Sequence, residues 1–111
     1  MDIAIPFNPF EVGMEVLEHE LGSWYALRDG EDIYLDVRTG LKGYAFWLLL
    51  KLDSTEAADY QEGKKFFLRA LVKQILQSPL PYFRRNASVE TQMVVYEALA
   101  AWRHGPRRPK V

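Results

Sequence analysis

Hydrophobic and polar residues alternate over residues 23–37, on either side of the pair Asp29 and Gly30. Such a pair between two alternating runs is typical of a β-hairpin, because a type I′ turn needs positive φ angles at both central residues. A two-residue loop at Asp29 and Gly30 would place Tyr25 opposite Tyr34. The sequence therefore predicts a tight hairpin in which the paired residue numbers sum to 59.

The same alternation gives the hairpin two different faces, because successive side chains of a strand point to opposite sides of the sheet. One face is apolar and is expected to join the core: Trp24, Ala26, Ile33, Leu35 and Val37. The other face is aromatic and acidic: Tyr25, Leu27, Asp32, Tyr34 and Asp36. A shift by one residue would bury both aspartates in the core, so the pattern defines which face is which.

Before the hairpin, residues 9–21 have apolar side chains at helical spacing. A helix could begin at Asn8 as its N-cap, with Pro9 in the first helical position and Glu11 in a capping box. Gly22 could end it. We therefore expect an N-terminal helix. Gly13 and the nearby valines weaken this pattern, and the alternative is a strand over residues 15–21 that turns at Gly22 into the hairpin.

After the hairpin, residues 44–52 are apolar on both faces and are expected to form a third strand that is covered on both sides. A helix is predicted from Asp53 or Ser54 to about Gln77, and another from Asn86 or Ser88 to about Arg103. The fold class is α+β, with an N-terminal helix, a three-stranded antiparallel meander and two C-terminal helices packed on the sheet. Residues 1–104 would form this single domain, and residues 105–111 a basic, disordered tail.

Length and composition narrow the class of protein. A chain of 111 residues is the size of one domain, and the absence of cysteine excludes disulfides and thiolate metal sites. The first residues do not resemble a signal peptide, and the longest apolar run is too short to span a bilayer. We therefore expect a cytoplasmic protein that does not act at a membrane.

The net charge of −1 conceals two halves of opposite sign. Residues 1–62 contain 13 acidic and 4 basic side chains, whereas residues 63–111 contain 2 acidic and 10 basic ones. One interpretation is mutual attraction between the halves within the fold. The other is a pair of opposite surface fields, one of which steers a charged partner.

The sequence has no convincing catalytic or ligand-binding motif. His19 lies between Glu18 and Glu20, but no HxxxH or HExxH spacing accompanies it, so we predict no metal site and no cofactor. Asp32 and Asp36 on one strand would be about 13 Å apart, which is too far for a paired acid–base mechanism. We therefore expect a protein that is not an enzyme.

The aromatic and acidic face of the hairpin is the best candidate for a contact surface. It would be open, or covered by the N-terminal helix, and Trp47 would join it if β-strand pairing placed that residue beside Tyr25 and Tyr34. Aromatic side chains provide contact area and carboxylates provide specificity in protein interfaces. We predict that the partner is bound by six residues: Tyr25, Leu27, Asp32, Tyr34, Asp36 and Trp47.

The runs GSWYALRDGEDIYLDVRTG and GYAFWLLLKLDSTEAADYQEGKKFFLRAL resemble those of small bacterial immunity proteins, which are encoded beside polymorphic or secreted antibacterial toxins. The resemblance covers roughly residues 22–71 and implies a cytoplasmic inhibitor that binds and neutralises a cognate toxin. It assigns no individual binding residue.

Two alternative functions remain. One is a homodimeric structural or regulatory module. The other, less favoured because the pI is about 6.1, is a nucleic-acid-binding protein that uses the basic C-terminal half: Lys65, Arg69, Lys73, Arg84 and Arg85.

Overall fold

The computed structural model describes residues 14–41 and 43–104, in which four strands precede three helices. The predicted tail, residues 105–111, lies outside this part. Over the described residues, no helix combines the length and the apolar character needed to cross a membrane. The elements are β1 (Glu15–Glu20), β2 (Trp24–Asp29), β3 (Asp32–Leu41), β4 (Tyr44–Lys51), α1 (Ser54–Gln77), α2 (Leu80–Phe83) and α3 (Val89–His104).

The strands form one antiparallel sheet in the order β1-β2-β3-β4, so the prediction of a three-stranded sheet is wrong. The predicted N-terminal helix is also wrong, because residues 15–20 pair with β2 as a strand; residues 9–13 lie outside the described part. Val16 packs towards one face of the sheet and Leu17 towards the other. This alternation suits a strand, and Gly22, with a φ of +74°, completes the turn into β2.

The hairpin between β2 and β3 forms where it was predicted, but its register differs by two. Tyr25 lies opposite Asp36, and the pair Asp29 and Asp32 closes a loop of Gly30 and Glu31. Gly30 has a φ of +65°, and Glu31 has no positive φ, which is the pattern of a type II′ turn with glycine first. Because a shift of two residues preserves side-chain alternation, both predicted faces are nevertheless correct.

Strand β4 confirms the predicted third apolar strand, although it is the fourth of the sheet. In each residue pair between β3 and β4, the two residue numbers sum to 85, so Trp47 lies opposite Arg38. Trp47 is therefore not in one cross-strand row with Tyr25 and Tyr34. The two faces of β4 enter separate cores, as expected for a strand that is apolar on both sides.

Helices cover both faces of the sheet, and the two largest lie on opposite sides. Helix α1 packs on the face that includes Trp24 and Leu35, and it contributes Leu68 and Ile75 to that core. Helix α3 packs on the other face through Val95 and Leu99. All four residues from Trp24 to Leu27 are consequently buried, two on each side of β2.

The chain passes from one face to the other around the edge of β4. Asn86 accepts a hydrogen bond from the Leu49 amide through its side-chain Oδ1 at 3.0 Å, and the Ala87 amide donates to the Leu49 carbonyl at 2.9 Å. Just before this crossing, Arg85 makes an ion pair of 2.6 Å with Glu56, a partly buried residue in the first turn of α1. These contacts fix the point where α3 begins.

Helix α1 has the predicted bounds and is capped by Asp53, but it is interrupted at Lys64. Lys64 has a φ of 51° and a ψ of −132°, a conformation that a side chain with a Cβ rarely adopts. A Cβ on the neighbouring Gly63 would lie 3.0 Å from Phe67 Cβ, so the chain passes closely here. The kink therefore stores backbone strain at a non-glycine residue.

Replacement of Lys64 by glycine should stabilise the protein by roughly 1 kcal/mol, because relief of the strained φ outweighs the added freedom of the unfolded chain. The matched control is Lys73→Gly, the same change at an exposed helical position of α1, which should cost about 1 kcal/mol. Urea denaturation measures both free energies of unfolding. Equal losses in the two variants would contradict the strained kink.

Candidate functional site

The predicted contact face is covered by helix α3 over part of its length. Tyr25 and Leu27 are buried there in a cluster with Leu49, Val95 and Leu99. The cover is therefore the C-terminal helix, not an N-terminal one. Leu27 is fully buried and provides no contact surface.

Asp32 and Tyr34 lie at the far end of the same face. Both are partly exposed, and the Asp32 carboxylate lies 3.5 Å from the Lys51 ammonium in an exposed ion pair. Such a pair contributes little to stability. Neither residue lines the cleft that contains Tyr25, Asp36 and Trp47.

Tyr25, Asp36 and Trp47 come together in a cleft of about 470 Å³ between the sheet and α3. The wall contributed by α3 includes Met93, Tyr96 and Arg103. A cleft of this size with mostly apolar walls and few polar groups has the usual character of a binding site. The structure thus unites half of the six predicted residues in one concave site.

The Asp36 carboxyl group is the polar centre of the cleft. Its residue is only 8% exposed, and within residues 14–41 and 43–104 no group donates a hydrogen bond to it. Burial disfavours the charged carboxylate and raises the pKa of Asp36 from 3.8 to about 6. A buried carboxylate without a donor is costly unless a ligand provides one.

Aromatic rings are grouped around Tyr25 at the cleft. The Tyr25 ring centroid lies 5.9 Å from that of Trp47 and 5.9 Å from that of Trp102. His19, the isolated histidine of β1, stacks on Tyr25 at 6.0 Å. The Arg103 guanidinium lies 5.7 Å from the Tyr25 centroid, and its Nη2 is 3.5 Å from the phenol oxygen. The cleft thus combines π faces with one carboxylate.

The rim of the cleft on α3 is an exposed apolar strip that the sequence analysis missed. Met93 and Tyr96 in this helix are 55% and 70% exposed. At 100° per residue, Tyr96 lies about 100° and Met93 about 160° from the buried Val95 around the helix. Val95 and Leu99, four residues apart, define the buried side of α3, and Met93 and Tyr96 lie away from that side in the sequence.

The basic residues of the C-terminal half are partly engaged within the fold. Arg69 makes an ion pair of 2.7 Å with Glu20, and Arg85 pairs with Glu56. Both pairs join the basic half to the acidic half, which favours mutual attraction as the origin of the charge asymmetry. Hydrogen bonds from Trp24 and Arg69 lower the pKa of Glu20.

The described residues contain no cluster of three or more His, Asp or Glu side chains able to hold a metal ion. Comparisons with protein-family models, with curated proteins and with solved structures returned no match. The resemblance to immunity proteins therefore stays a prediction.

Asp36→Asn should stabilise the isolated protein at neutral pH. A carboxyl pKa raised from 3.8 to about 6 means that the folded state binds a proton more tightly than the unfolded chain. The contribution of Asp36 to the free energy of unfolding therefore falls as pH rises through this window.

The shift in the Asp36 pKa limits the gain in the free energy of unfolding to about 3 kcal/mol. We expect a gain of about 1 kcal/mol, because the buried amide of the variant also lacks a partner. The gain should be present at pH 7.5 and absent at pH 3.5. Urea denaturation at both pH values measures it. A variant that is less stable at pH 7.5 would show that the carboxylate has a stabilising partner.

Proposed function

We propose that this protein is a cytoplasmic, non-catalytic inhibitor that binds and neutralises a cognate antibacterial toxin. The observation that supports the proposal best is the cleft, where exposed apolar side chains surround a buried carboxylate that accepts no hydrogen bond from the part of the chain that the structure describes. The resemblance of residues 22–71 to immunity proteins supplies the class of partner. The binding site is the cleft with its rim.

The arrangement suits a protein partner. Interfaces concentrate their binding energy in a few desolvated aromatic and charged contacts, which near-neutral contacts shield from water. Trp47, Met93 and Tyr96 are exposed on both sides of the cleft and provide the apolar contacts. Asp36 provides a charged contact that is already largely desolvated, so binding adds little further desolvation cost.

Charge indicates the kind of toxin surface that fits. A buried carboxylate favours a partner whose contact surface is basic, and enzymes that act on phosphate-containing substrates have such surfaces. A toxin with a cationic, anion-binding cleft would be blocked when this protein occupies the cationic groups that its substrate needs.

The exposed strip on α3 also favours one alternative, a homodimer. Val89, Met93 and Tyr96 are all at least 55% exposed and lie on one side of the helix. A self-complementary contact through this strip would hide the cleft. Sedimentation at micromolar concentration separates the two functions, because the inhibitor should be a monomer with a free cleft.

Tyr96→Ala should weaken neutralisation without loss of stability, because Tyr96 is 70% exposed in the free protein. We expect an affinity at least tenfold lower, corresponding to about 1.4 kcal/mol or more. Phe66→Ala is the matched control: Phe66 is an 82% exposed aromatic residue of α1, on the opposite side of the sheet. Titration calorimetry with the product of the adjacent gene, and growth of cells that express that product, measure the effect.

The proposed function would be contradicted if the adjacent gene product is not toxic, or if the wild-type chain fails to restore growth of cells that express it. Equal losses of affinity in both variants would contradict the position of the interface, because Phe66 lies far from the cleft.

A further inference from the structure

The cleft also indicates which chemical group of the partner enters it. Resting on the proposed function, we infer that a basic side chain of the partner protein, a lysine or an arginine, enters the cleft and uses the Asp36 carboxylate as its counter-ion. The chemistry of the cleft selects a cation over a neutral or anionic group. Insertion of a single cation would make Asp36 the residue that decides partner choice.

The Asp36 carboxylate is positioned to receive a cation. Asp36 lies in the middle of β3, opposite Tyr25 on one neighbouring strand and Leu49 on the other. It lines the cleft and is 8% exposed, and no donor in the described part of the chain satisfies it. An incoming ammonium or guanidinium group would supply the missing donors and a compensating charge.

The aromatic wall of the cleft also favours a cation. Tyr25 and Trp47, with ring centroids 5.9 Å apart, both line the cleft, and Tyr96 lines it from α3. The negative faces of such rings attract cations, and the interaction is stronger when the cation is desolvated. The ring of Tyr25 already has a cation beside it, the Arg103 guanidinium at 5.7 Å. An alkyl stem would pack on the same rings and on Met93.

The charged groups of the protein around Asp36 do not fill this role. Arg103 of α3 lies beside Tyr25, and Arg38 lies on the same face of β3 but is exposed; neither forms an ion pair with Asp36 among the described residues. On β4, Lys51 pairs with Asp32. From β1, His19 contacts Tyr25. Among residues 14–41 and 43–104, the Asp36 carboxylate therefore has no ion-pair partner.

The test uses the full chain and small probes in an NMR titration at constant ionic strength. Butylammonium and butylguanidinium represent the two basic side chains; butanol is the neutral control and butyrate the anionic control. We expect both cations to bind with Kd on the order of 1–10 mM and to shift the Trp47 indole and Met93 methyl signals. Butanol and butyrate should bind at least tenfold more weakly.

Asp36→Asn should weaken cation binding at least tenfold, whereas Asp59→Asn, which changes an exposed aspartate of α1, should leave it unchanged. Arg103→Gln should increase the affinity for the cations, because it removes a like charge from the wall of the cleft. Equal binding of butanol and butylammonium, or undiminished cation binding by Asp36→Asn, would overturn the inference.

The pH dependence provides a second readout. Because the pKa of Asp36 is raised to about 6, cation affinity at pH 5 should be about tenfold lower than at pH 7.5. Asp36→Asn keeps every other titratable group of the chain, so most of this pH dependence should be lost in that variant. A wild-type affinity that does not change between these pH values would contradict the role of Asp36.

The inference and the proposed function can fail separately. If the cations bind at Asp36 but the adjacent gene product is not neutralised, the toxin proposal fails and the cation site remains. If the toxin is neutralised as strongly by Asp36→Asn as by the wild-type chain, the proposed function remains and the inference is overturned.

Discussion

Burial of strand β2 on both faces is the constraint on which the rest of the fold depends. Trp24 and Ala26 need one cover and Tyr25 and Leu27 another, so a single helical layer would leave half of the strand exposed. The chain provides the second cover by passing around the edge of β4, where Asn86 takes the place of a strand neighbour. Hydrogen bonds at this edge and the Arg85 ion pair set the position of α3.

The position of α3 in turn creates the cleft. The helix packs through Val95 and Leu99 over Tyr25 and Leu27, near the middle of the sheet, and its outer strip does not reach Trp47 closely enough to fill the space between them. Asp36 lies beneath this space. The same packing that completes the core therefore leaves a carboxylate buried, with no hydrogen-bond donor among the described residues. A residue that reduces stability at neutral pH in this way is typical of a binding site.

Local patterns in the sequence predicted the two faces of the hairpin, the apolar β4 and the bounds of α1, because each depends on side-chain alternation or capping within a short segment. The predicted register of the hairpin was wrong by two, since Gly30 fits either the second position of a type I′ turn or the first position of a type II′ turn. Residues 15–20 were misassigned because Met14, Leu17 and Leu21 also have helical spacing. Tyr25, Asp36 and Trp47 were predicted individually as contact residues, but their cleft depends on Asn86 contacting Leu49, 37 residues away, which no local pattern reveals.

The binding site depends on one feature: Asp36 is buried beneath α3, and no group of residues 14–41 and 43–104 donates a hydrogen bond to its carboxylate. Direct titration of its side-chain carboxyl carbon by NMR in the free protein tests this claim. The structure predicts a pKa of about 6 for Asp36. A pKa at or below the usual 3.8 would show that the carboxylate is solvated or paired within the protein, and it would contradict both the cleft and the binding site built on it.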